Sequence, residues 1–245
     1  MHQKEKRDME SVFPAGLEQP EGSFRFSGDA LLLADFAAGT TLPEQAVFAD
    51  LGTGCGIVAL AVLRKRARWR GFGMEIQPEL SAAAERNAAG LGLAERFSVV
   101  TGDVAAREDR LALRAAPGTS TGGKTGGAES LPLFDAVFCN PPWRREGAGR
   151  TPPSLSRRIA LFGTERTFSV FFSAADALLK NGGQLVAVSG AERTAELLAA
   201  LPGRLHPEHL RFVFTRRVAP ATFVLLRAKK NGRADLCVDS LEAFA

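Results

Sequence analysis

A glycine-rich turn after a short apolar segment is the feature that most constrains what this chain can fold into. Residues 46–51 are predicted to form a buried strand. Residues 50–56, which read DLGTGCG, lead from it into an apolar stretch that begins at Ile57. Glycines at a strand-to-helix turn adopt backbone conformations closed to other residues and let a ligand lie against the backbone. The turn therefore predicts an α/β unit that holds a nucleotide-like ligand.

Predicted strands and helices alternate along the rest of the chain. The last two predicted strands are joined by residues 218–220 alone, and so short a link cannot make a parallel crossover. We therefore expect an α/β fold with a doubly wound, Rossmann-like, seven-stranded and mostly parallel sheet that ends in an antiparallel C-terminal hairpin. The further strands are predicted over residues 71–76, 97–104, 134–140, 184–189, 210–216 and 221–228.

One domain accounts for most of the 245 residues. We expect it to span residues 22–230, between a flexible N-terminal tail over residues 1–21 and a C-terminal tail over residues 231–245. Residues 116–130 interrupt the domain with a stretch rich in glycine, serine and threonine, which has too few apolar side chains to pack. This stretch is predicted to be a mobile insertion.

The composition argues against several classes of protein. Hydrophobic residues make up 45% of the chain and charged residues 24%, as in ordinary globular proteins. Runs of about eighteen apolar residues, which would predict a membrane span, do not occur, and the charged N-terminus is unlike a signal peptide. Three scattered cysteines have no metal-ligand spacing. We therefore expect a reduced, cytoplasmic, monomeric protein without a metal or a membrane.

The spacing of the glycines bears on the kind of cofactor. Dinucleotide-binding turns read GxGxxG and face a pyrophosphate, whereas this turn reads GxGxG and has Asp50 two residues before Gly52. A carboxylate at the end of the strand suits a cofactor that carries a cationic amine. The glycine turn alone leaves both cofactor classes open.

Two further acids stand where the next two predicted strands end. Glu75 is placed to accept hydrogen bonds from both hydroxyls of a ribose; alternatively, it caps the helix that follows residues 77–78. Asp103 is placed to accept from an adenine amino group while Val104 packs on the ring; taken alone, it would be a turn acid. Together with the glycine turn, these acids predict a site for an adenosine-containing cofactor.

A tetrad of chemically distinctive residues, 140–143, closes the predicted fourth strand, at the edge where open α/β sheets bind ligands. It reads Asn-Pro-Pro-Trp. An amine on an aromatic ring is a weak nucleophile because its lone pair is delocalised into the ring. The carbonyls of Asn140 and Pro141 can each accept one N–H and direct the lone pair, while Trp143 stacks on the flat acceptor. The alternative is an Asn-Pro turn beside a buried tryptophan.

A basic segment, residues 144–166, follows this tetrad and contains six arginines and two glutamates. The net charge of +4 and the pI of about 9.2 permit a polyanionic partner without requiring one. Such a segment is either a solvated surface loop or a stretch that contacts phosphates. Its position favours phosphate contact, and the predicted substrate-binding residues are Arg144, Arg145, Arg157 and Arg158.

The combined pattern over residues 46–228 resembles the class I S-adenosylmethionine-dependent methyltransferases. Asn-Pro-Pro-aromatic motifs occur in adenine-N6, cytosine-N4, some guanine-N2 and protein glutamine-N5 methyltransferases, so the motif indicates a planar amine acceptor rather than one substrate. The resemblance implies S-adenosylmethionine as cofactor and a catalytic tetrad made of Asn140, Pro141, Pro142 and Trp143. The predicted cofactor-binding residues are Asp50, Gly52, Thr53, Gly54, Gly56, Glu75, Ile76, Asp103, Val104 and Asn140.

Within that class the chain resembles the bacterial tRNA1(Val) (adenine-N6)-methyltransferase family. The resemblance rests on residues 19–33, which read QPEGSFRFSGDALLL, on the basic segment after the tetrad, and on residues 205–211, which read LHPEHLR. It implies that the acceptor is adenine N6 in tRNA. The chain departs from the family at Trp143, where tyrosine is usual, and in the insertion at 119–127. The segment after the tetrad matches only in charge and length.

Other functions stay open on the sequence alone. A protein glutamine-N5 methyltransferase would use the same amine chemistry but make less use of the arginines after the tetrad. A methyltransferase that acts on rRNA, at adenine N6 or guanine N2, would use both this amine chemistry and the arginines. An RNA-binding module that has lost catalysis would lack affinity for the cofactor.

Overall fold

Eight strands form one sheet in the computed structural model, which describes residues 13, 16–21, 28–119, 133–143, 163 and 166–243. The strands are β1 (Val47–Leu51), β2 (Arg70–Glu75), β3 (Phe97–Thr101), β4 (Phe134–Cys139), β5 (Leu179–Gly190), β6 (Leu205–Phe214), β7 (Phe223–Lys230) and β8 (Cys237–Glu242). All five residues of β1 are buried, as are five of the six in β4. Strands buried on both faces are typical of the middle of a parallel sheet.

Helices cover both faces of this sheet. The described helices are α1 (Gly28–Ala38), α2 (Ile57–Lys65), α3 (Pro78–Gly90), α4 (Arg107–Ala115), α5 (Thr167–Leu178), a 3-10 helix (Ala191–Arg193) and α6 (Thr194–Ala199). Phe48 and Phe138 pack with α1, α2 and α3 in one core, and Leu51 and Met74 pack in a second core with α4, α5 and α6.

The strand order is β3-β2-β1-β4-β5-β7-β6-β8. All neighbouring strands are parallel except that β7 runs antiparallel to both β5 and β6. The predicted doubly wound, mostly parallel α/β sheet with an antiparallel hairpin is therefore confirmed. The connections change direction between β1 and β4, and the carboxyl edge at that point is where such sheets bind ligands.

The predicted number of strands was one too few. The eighth strand, β8, lies in residues 231–245, which we expected to be a tail, and it pairs in parallel with β6. Arg211 of β6 donates two hydrogen bonds to Asp239 of β8, at 2.8 and 2.6 Å. Five of the six residues of β8 are exposed, so it lacks the alternation of apolar and polar residues that reveals a half-buried strand.

Part of the expected N-terminal tail is packed. Phe13 is fully buried in the core, and the backbone amide of Glu18 donates to the side chain of Asn87 on α3 at 2.7 Å. The expected insertion over 116–130 is described only as far as Thr119, and most of it lies outside the described residues. Within the described part of the chain, no helix is long and apolar enough to cross a membrane.

Candidate active site

The glycine turn sits at the carboxyl end of β1. Gly52, Gly54 and Gly56 have φ angles of +69°, +58° and +89°, a region that side-chain-bearing residues rarely adopt. The backbone amides of Gly52 and Thr53 both donate to the carbonyl of Met74, at 2.8 and 3.0 Å. These bonds tie the turn to the neighbouring strand β2 and hold it open toward the crevice.

Glu75, the last residue of β2, points its carboxylate at this turn. One oxygen accepts the backbone N–H of Gly54 at 2.9 Å and the other accepts that of Gln77 at 3.0 Å. Glu75 therefore also bonds to the residue that directly precedes α3, as the capping alternative expects. These two bonds fix the carboxylate in position. Each of its oxygens can still accept a further hydrogen bond, so the carboxylate is suited to bind the two hydroxyls of a ribose.

Burial disfavours charge on the acids of this crevice. It raises the pKa of Asp50 to about 7; the Thr53 hydroxyl, which donates to Asp50 at 2.7 Å, opposes the rise, and the charge of Glu75 adds to it. Burial also raises the pKa of Glu75, against the backbone N–H groups of Gln77 and Gly54. A cationic ligand would relieve both costs, so the electrostatics of the site favour a positively charged cofactor.

The space in front of the glycine turn is open on one side and bounded by an aromatic ring on the other. A Cβ added to Gly54 would meet no atom within 4 Å, so the space in front of the turn is open, whereas one on Gly52 would meet Phe171 of α5 at 3.3 Å. Ile76 exposes 50% of its surface beside Glu75, which provides an apolar face for a ring next to the ribose-binding carboxylate. Contact of Asp50, Glu75 and Ile76 with a cofactor stays a prediction.

Asp103 and Val104 complete the same edge beyond β3. Asp103 is exposed, and one of its oxygens accepts the backbone N–H of Ala105 at 2.8 Å, as in a turn. Its backbone amide donates to Asp109 of α4 at 2.8 Å. Val104 is buried in the core rather than presented to the crevice, so it supports the loop from below. Contact of these two residues with adenine stays a prediction.

Asn140, directly after β4, is held by an acid from the start of α1. Its side-chain amide nitrogen donates to Asp29 Oδ2 at 3.2 Å. Asp29 is buried, with 3% of its surface exposed, and lies in the first turn of the helix. A carboxylate only accepts hydrogen bonds when ionised, so it turns the amide nitrogen toward itself. The amide oxygen of Asn140 is thereby left to meet an acceptor amine.

Trp143 is anchored at both its backbone and its ring. Arg193, only 4% exposed, donates to the backbone carbonyl of Trp143 and stacks on the ring of Phe168, with 4.9 Å between its Cζ and the ring centroid. The indole meets Phe223, at the start of β7, edge to face with 6.2 Å between centroids. The tetrad is therefore rigid at both ends, and the alternative of a buried tryptophan holds for only part of the side chain.

The predicted substrate-binding residues Arg144, Arg145, Arg157 and Arg158 lie outside the described residues. No group of three or more His, Cys, Asp or Glu side chains that could hold a metal ion occurs in the part of the chain that the structure describes.

Three residues of the site were missed by sequence reasoning. None of Asp29, Arg193 and Phe171 was predicted as a site residue, although Asp29 and Arg193 bond to the tetrad and Phe171 lies beside the glycine turn. A buried arginine after a strand is unusual enough to be a signal. The contact between Arg193 and Trp143 could not be predicted, because the two residues are fifty positions apart in the sequence.

The chain is similar to proteins that are named as methyltransferases. No protein-family model matches the chain. A tRNA1(Val) (adenine(37)-N6)-methyltransferase of Porphyromonas gingivalis is 24% identical over 203 residues, which are 82% of this chain and 69% of that protein. A release factor glutamine methyltransferase of Mycolicibacterium smegmatis is 31% identical over 152 residues, which are 61% of this chain and only 47% of that protein.

A solved structure shares the fold. The crystal structure of a predicted O-methyltransferase from Agrobacterium tumefaciens matches with a TM-score of 0.62 and 23% identity, over 87% of this chain and 86% of that one. The chain has the fold of the class I methyltransferases, and its relatives support methyltransferase activity. Its cofactor is S-adenosylmethionine, and the carboxylates of Asp50 and Glu75 and the open glycine turn of this methyltransferase fit it.

Proposed function

We propose that this methyltransferase transfers the methyl group of S-adenosylmethionine to an exocyclic amine, and that the amine is N6 of an adenine in tRNA. The observation that carries the proposal is the hydrogen bond from Asn140 to Asp29, 3.2 Å long. It orients the amide so that its oxygen, the group needed to accept an amine N–H, faces away from Asp29.

The residues of the tetrad divide the work of activating the amine. The bound cofactor supplies a methyl group on a sulfonium. Asn140 Oδ1 and the carbonyl of Pro141 accept the two N–H bonds, draw the nitrogen toward tetrahedral geometry and direct its lone pair. Trp143 offers a face to a base turned out of its stack. A strong general base is not required, because the amine loses a proton readily once methylated.

Two features support tRNA as the acceptor. The relative from P. gingivalis, which is named for adenine N6 of a valine tRNA, aligns with most of this chain. The basic segment beyond the tetrad provides arginines for a phosphate backbone, and Arg144, Arg145, Arg157 and Arg158 remain the predicted contacts.

A protein glutamine is the second candidate acceptor. The relative named for release factor glutamine methylation has the higher identity, 31%, but the chain spans about half the length of that protein. An amide and an adenine amine present the same two N–H bonds to the tetrad, so the tetrad does not distinguish them.

The test is to incubate the protein with labelled S-adenosylmethionine and total RNA, or with glutamine-containing peptides, and to analyse the digests by mass spectrometry. We expect N6-methyladenosine in the tRNA fraction. Label in a peptide glutamine, or none in RNA, would contradict the tRNA proposal.

Asn140→Ala should lower the single-turnover rate by about 10²- to 10³-fold while cofactor affinity stays within a few fold. Asn181→Ala, an exposed asparagine outside the crevice, is the matched control and should change neither.

A further inference from the structure

The loop between β6 and β7, residues 215–222, stands at the mouth of the active site. Strand β6 runs parallel to β5, because both are antiparallel to β7, so its carboxyl end lies at the same edge of the sheet as the tetrad. The first residue of β7, Phe223, contacts the Trp143 ring with 6.2 Å between centroids. The loop therefore ends beside Trp143, the residue of the tetrad that is predicted to stack on the acceptor.

The base of this loop is rigid. The hydroxyls of Thr215 and Thr222 share a hydrogen bond of 2.6 Å across it, and the backbone amide of Thr222 donates to the carbonyl of Val213 at 2.8 Å. Ala191 donates from its backbone to the carbonyl of Thr222 at 3.1 Å, which ties the loop to the segment after β5. A loop fixed in this way presents its tip in a defined direction.

The tip itself is basic and apolar. Arg216 and Arg217 are exposed and adjacent, and residues 214–223 contain no acid. Val218, which follows them, is fully exposed, with a relative accessibility of 104%, and Pro220 is exposed as well. The chain from Val218 to Phe223 spans at most about 18 Å when extended, so the tip remains within one nucleotide or a few of the tetrad.

Basic residues at the opposite edge of the sheet provide a control of the same charge. Lys65, at the end of α2, pairs with Asp35 at 2.5 Å, and nearby Arg68 pairs with Glu44 at 2.8 Å. These cations lie among acids on their own surface, as in an ordinary solvated face. The 215–222 loop combines two guanidinium groups with an apolar tip, which suits a partner that offers both phosphates and flat or sugar surfaces.

We propose that the 215–222 loop is an RNA-binding surface that holds the nucleotides next to the methylated base. Arg216 and Arg217 contact phosphates, and Val218 packs on a ribose or a base. The proposal rests on the proposed function, since it takes RNA as the acceptor. It adds contact residues to those predicted within residues 144–158, and it assigns the loop to the nucleotides that flank the target because the loop adjoins Trp143.

The test compares two double variants that lose the same charge. Arg216→Ala with Arg217→Ala removes two cations from the loop. Arg64→Ala with Arg68→Ala removes two exposed cations from the opposite edge of the sheet. Filter binding to the tRNA fraction at several salt concentrations gives the slope of log affinity against log salt. The loop variant should flatten that slope by about 1–2 units and weaken binding about tenfold, because two phosphate contacts are lost. The control variant should bind like the parent.

A third variant tests the apolar tip. Val218→Asp adds one negative charge to an exposed position, and it should weaken RNA binding more than Val218→Ala, which should have only a small effect. Affinity for S-adenosylmethionine should be unchanged in all of these variants, because β4, β5 and β7 lie between β6, which precedes the loop, and β1, which precedes the glycine turn. This readout also shows that they are folded.

The outcomes separate the two proposals. If the parent methylates RNA and the loop variant keeps the parental salt slope, the loop is not a contact surface, although the proposed function stands. The loop is likewise excluded as a contact surface if the control variant loses as much slope as the loop variant. If the parent neither binds nor methylates RNA, the tRNA proposal and the loop proposal are both overturned.

Discussion

Asp29 is the residue whose importance changes most between the sequence and the structure. It looks like a helix cap, yet its buried carboxylate holds the amide nitrogen of Asn140, which is 111 residues away in the sequence. The pair joins α1 to the end of β4. Because the acid only accepts hydrogen bonds, it selects one of the two orientations of the asparagine amide.

Removing this acid should impair catalysis more than cofactor binding. Asp29→Ala lets the amide of Asn140 rotate, and we expect the single-turnover rate to fall by about 10- to 100-fold, as misplaced reacting groups do elsewhere. Asp29→Asn, which can still offer an oxygen to the amide nitrogen, should recover part of the rate. Asp35→Ala, an exposed acid on the same helix, is the control and should stay within about twofold. Equal rates for the Asp29→Ala variant and the parent would remove Asp29 from the mechanism.

Asp50 should make the cofactor-free protein less stable as the pH rises. Burial raises its pKa from the ordinary 3.8 to about 7. The stability that the neutral form contributes is complete below about pH 4 and is lost as the pH rises through 7, because the buried carboxyl must ionise. Asp50→Asn should therefore leave stability unchanged near pH 4, raise it at pH 8 by up to about 4 kcal/mol, and weaken cofactor binding. Urea unfolding at both pH values measures this effect.

The matched control for that experiment is Asp103→Asn, an exposed acid at the same edge of the sheet. It should give no gain of stability at pH 8. A gain of equal size at pH 4 and pH 8 in the Asp50 variant would show that ionisation is not the cause.

At the scale of elements, an ion pair between Arg211 of β6 and Asp239 of β8 holds β8 to the sheet. The guanidinium of Arg211 lowers the pKa of Asp239 to about 2, with His209 contributing, so the pair stabilises the sheet above about pH 4 and loses that contribution as the pH falls toward 2. Asp239→Ala should cost about 0.5–1.5 kcal/mol at pH 7, a modest value because both side chains are about one-third exposed. The difference from the parent in urea unfolding should shrink below pH 4.

Asp235→Ala, an exposed acid just before β8, controls for the loss of a negative charge. It should cost nothing measurable at either pH. If the two variants have the same free energy of unfolding, the ion pair between Arg211 and Asp239 does not stabilise β8.

At the scale of the whole molecule, Asn87 joins the N-terminal segment to the cofactor site. Its amide nitrogen donates to the carbonyls of Glu18 and Cys55, each at 3.0 Å, and its oxygen accepts the backbone N–H of Glu18. Asn87→Ala should lower the free energy of unfolding by about 2–3 kcal/mol, because buried backbone groups lose their partners. It should also weaken cofactor binding, since Cys55 lies in the glycine turn.

Limited proteolysis at glutamate gives an independent measurement, because cleavage at Glu18 and Glu21 should become faster in that variant. Asn181→Ala, an exposed asparagine that bonds only at the surface to Asn231, should leave the cleavage rate unchanged. Unchanged cleavage in the Asn87 variant would mean that other contacts hold the segment. The expected monomeric state stays a prediction, which sedimentation of the parent would check.

The elements that sequence reasoning located correctly have strong local signals. The helix that was expected after residues 77–78 is α3 (Pro78–Gly90), because proline suits a first turn and the alanine-rich sequence favours helix. The strand ends that carry Asp50, Glu75 and Asn140 were also predicted, since runs of buried apolar residues are bounded there by glycine or proline. By contrast, β8 is exposed on most of its length and pairs only through tertiary contact, so it has no comparable local signal.

The sequence by itself determined the doubly wound sheet, the glycine turn and the tetrad, because strand periodicity, backbone freedom and proline geometry are local properties of neighbouring residues. Only the tertiary structure decided how the side chains of the tetrad are oriented. The orientation of Asn140 depends on Asp29, the position of Trp143 on Arg193 and Phe223, and the place of the 215–222 loop on the antiparallel run of β7. These contacts join residues far apart in the chain, and only packing across the sheet brings them together.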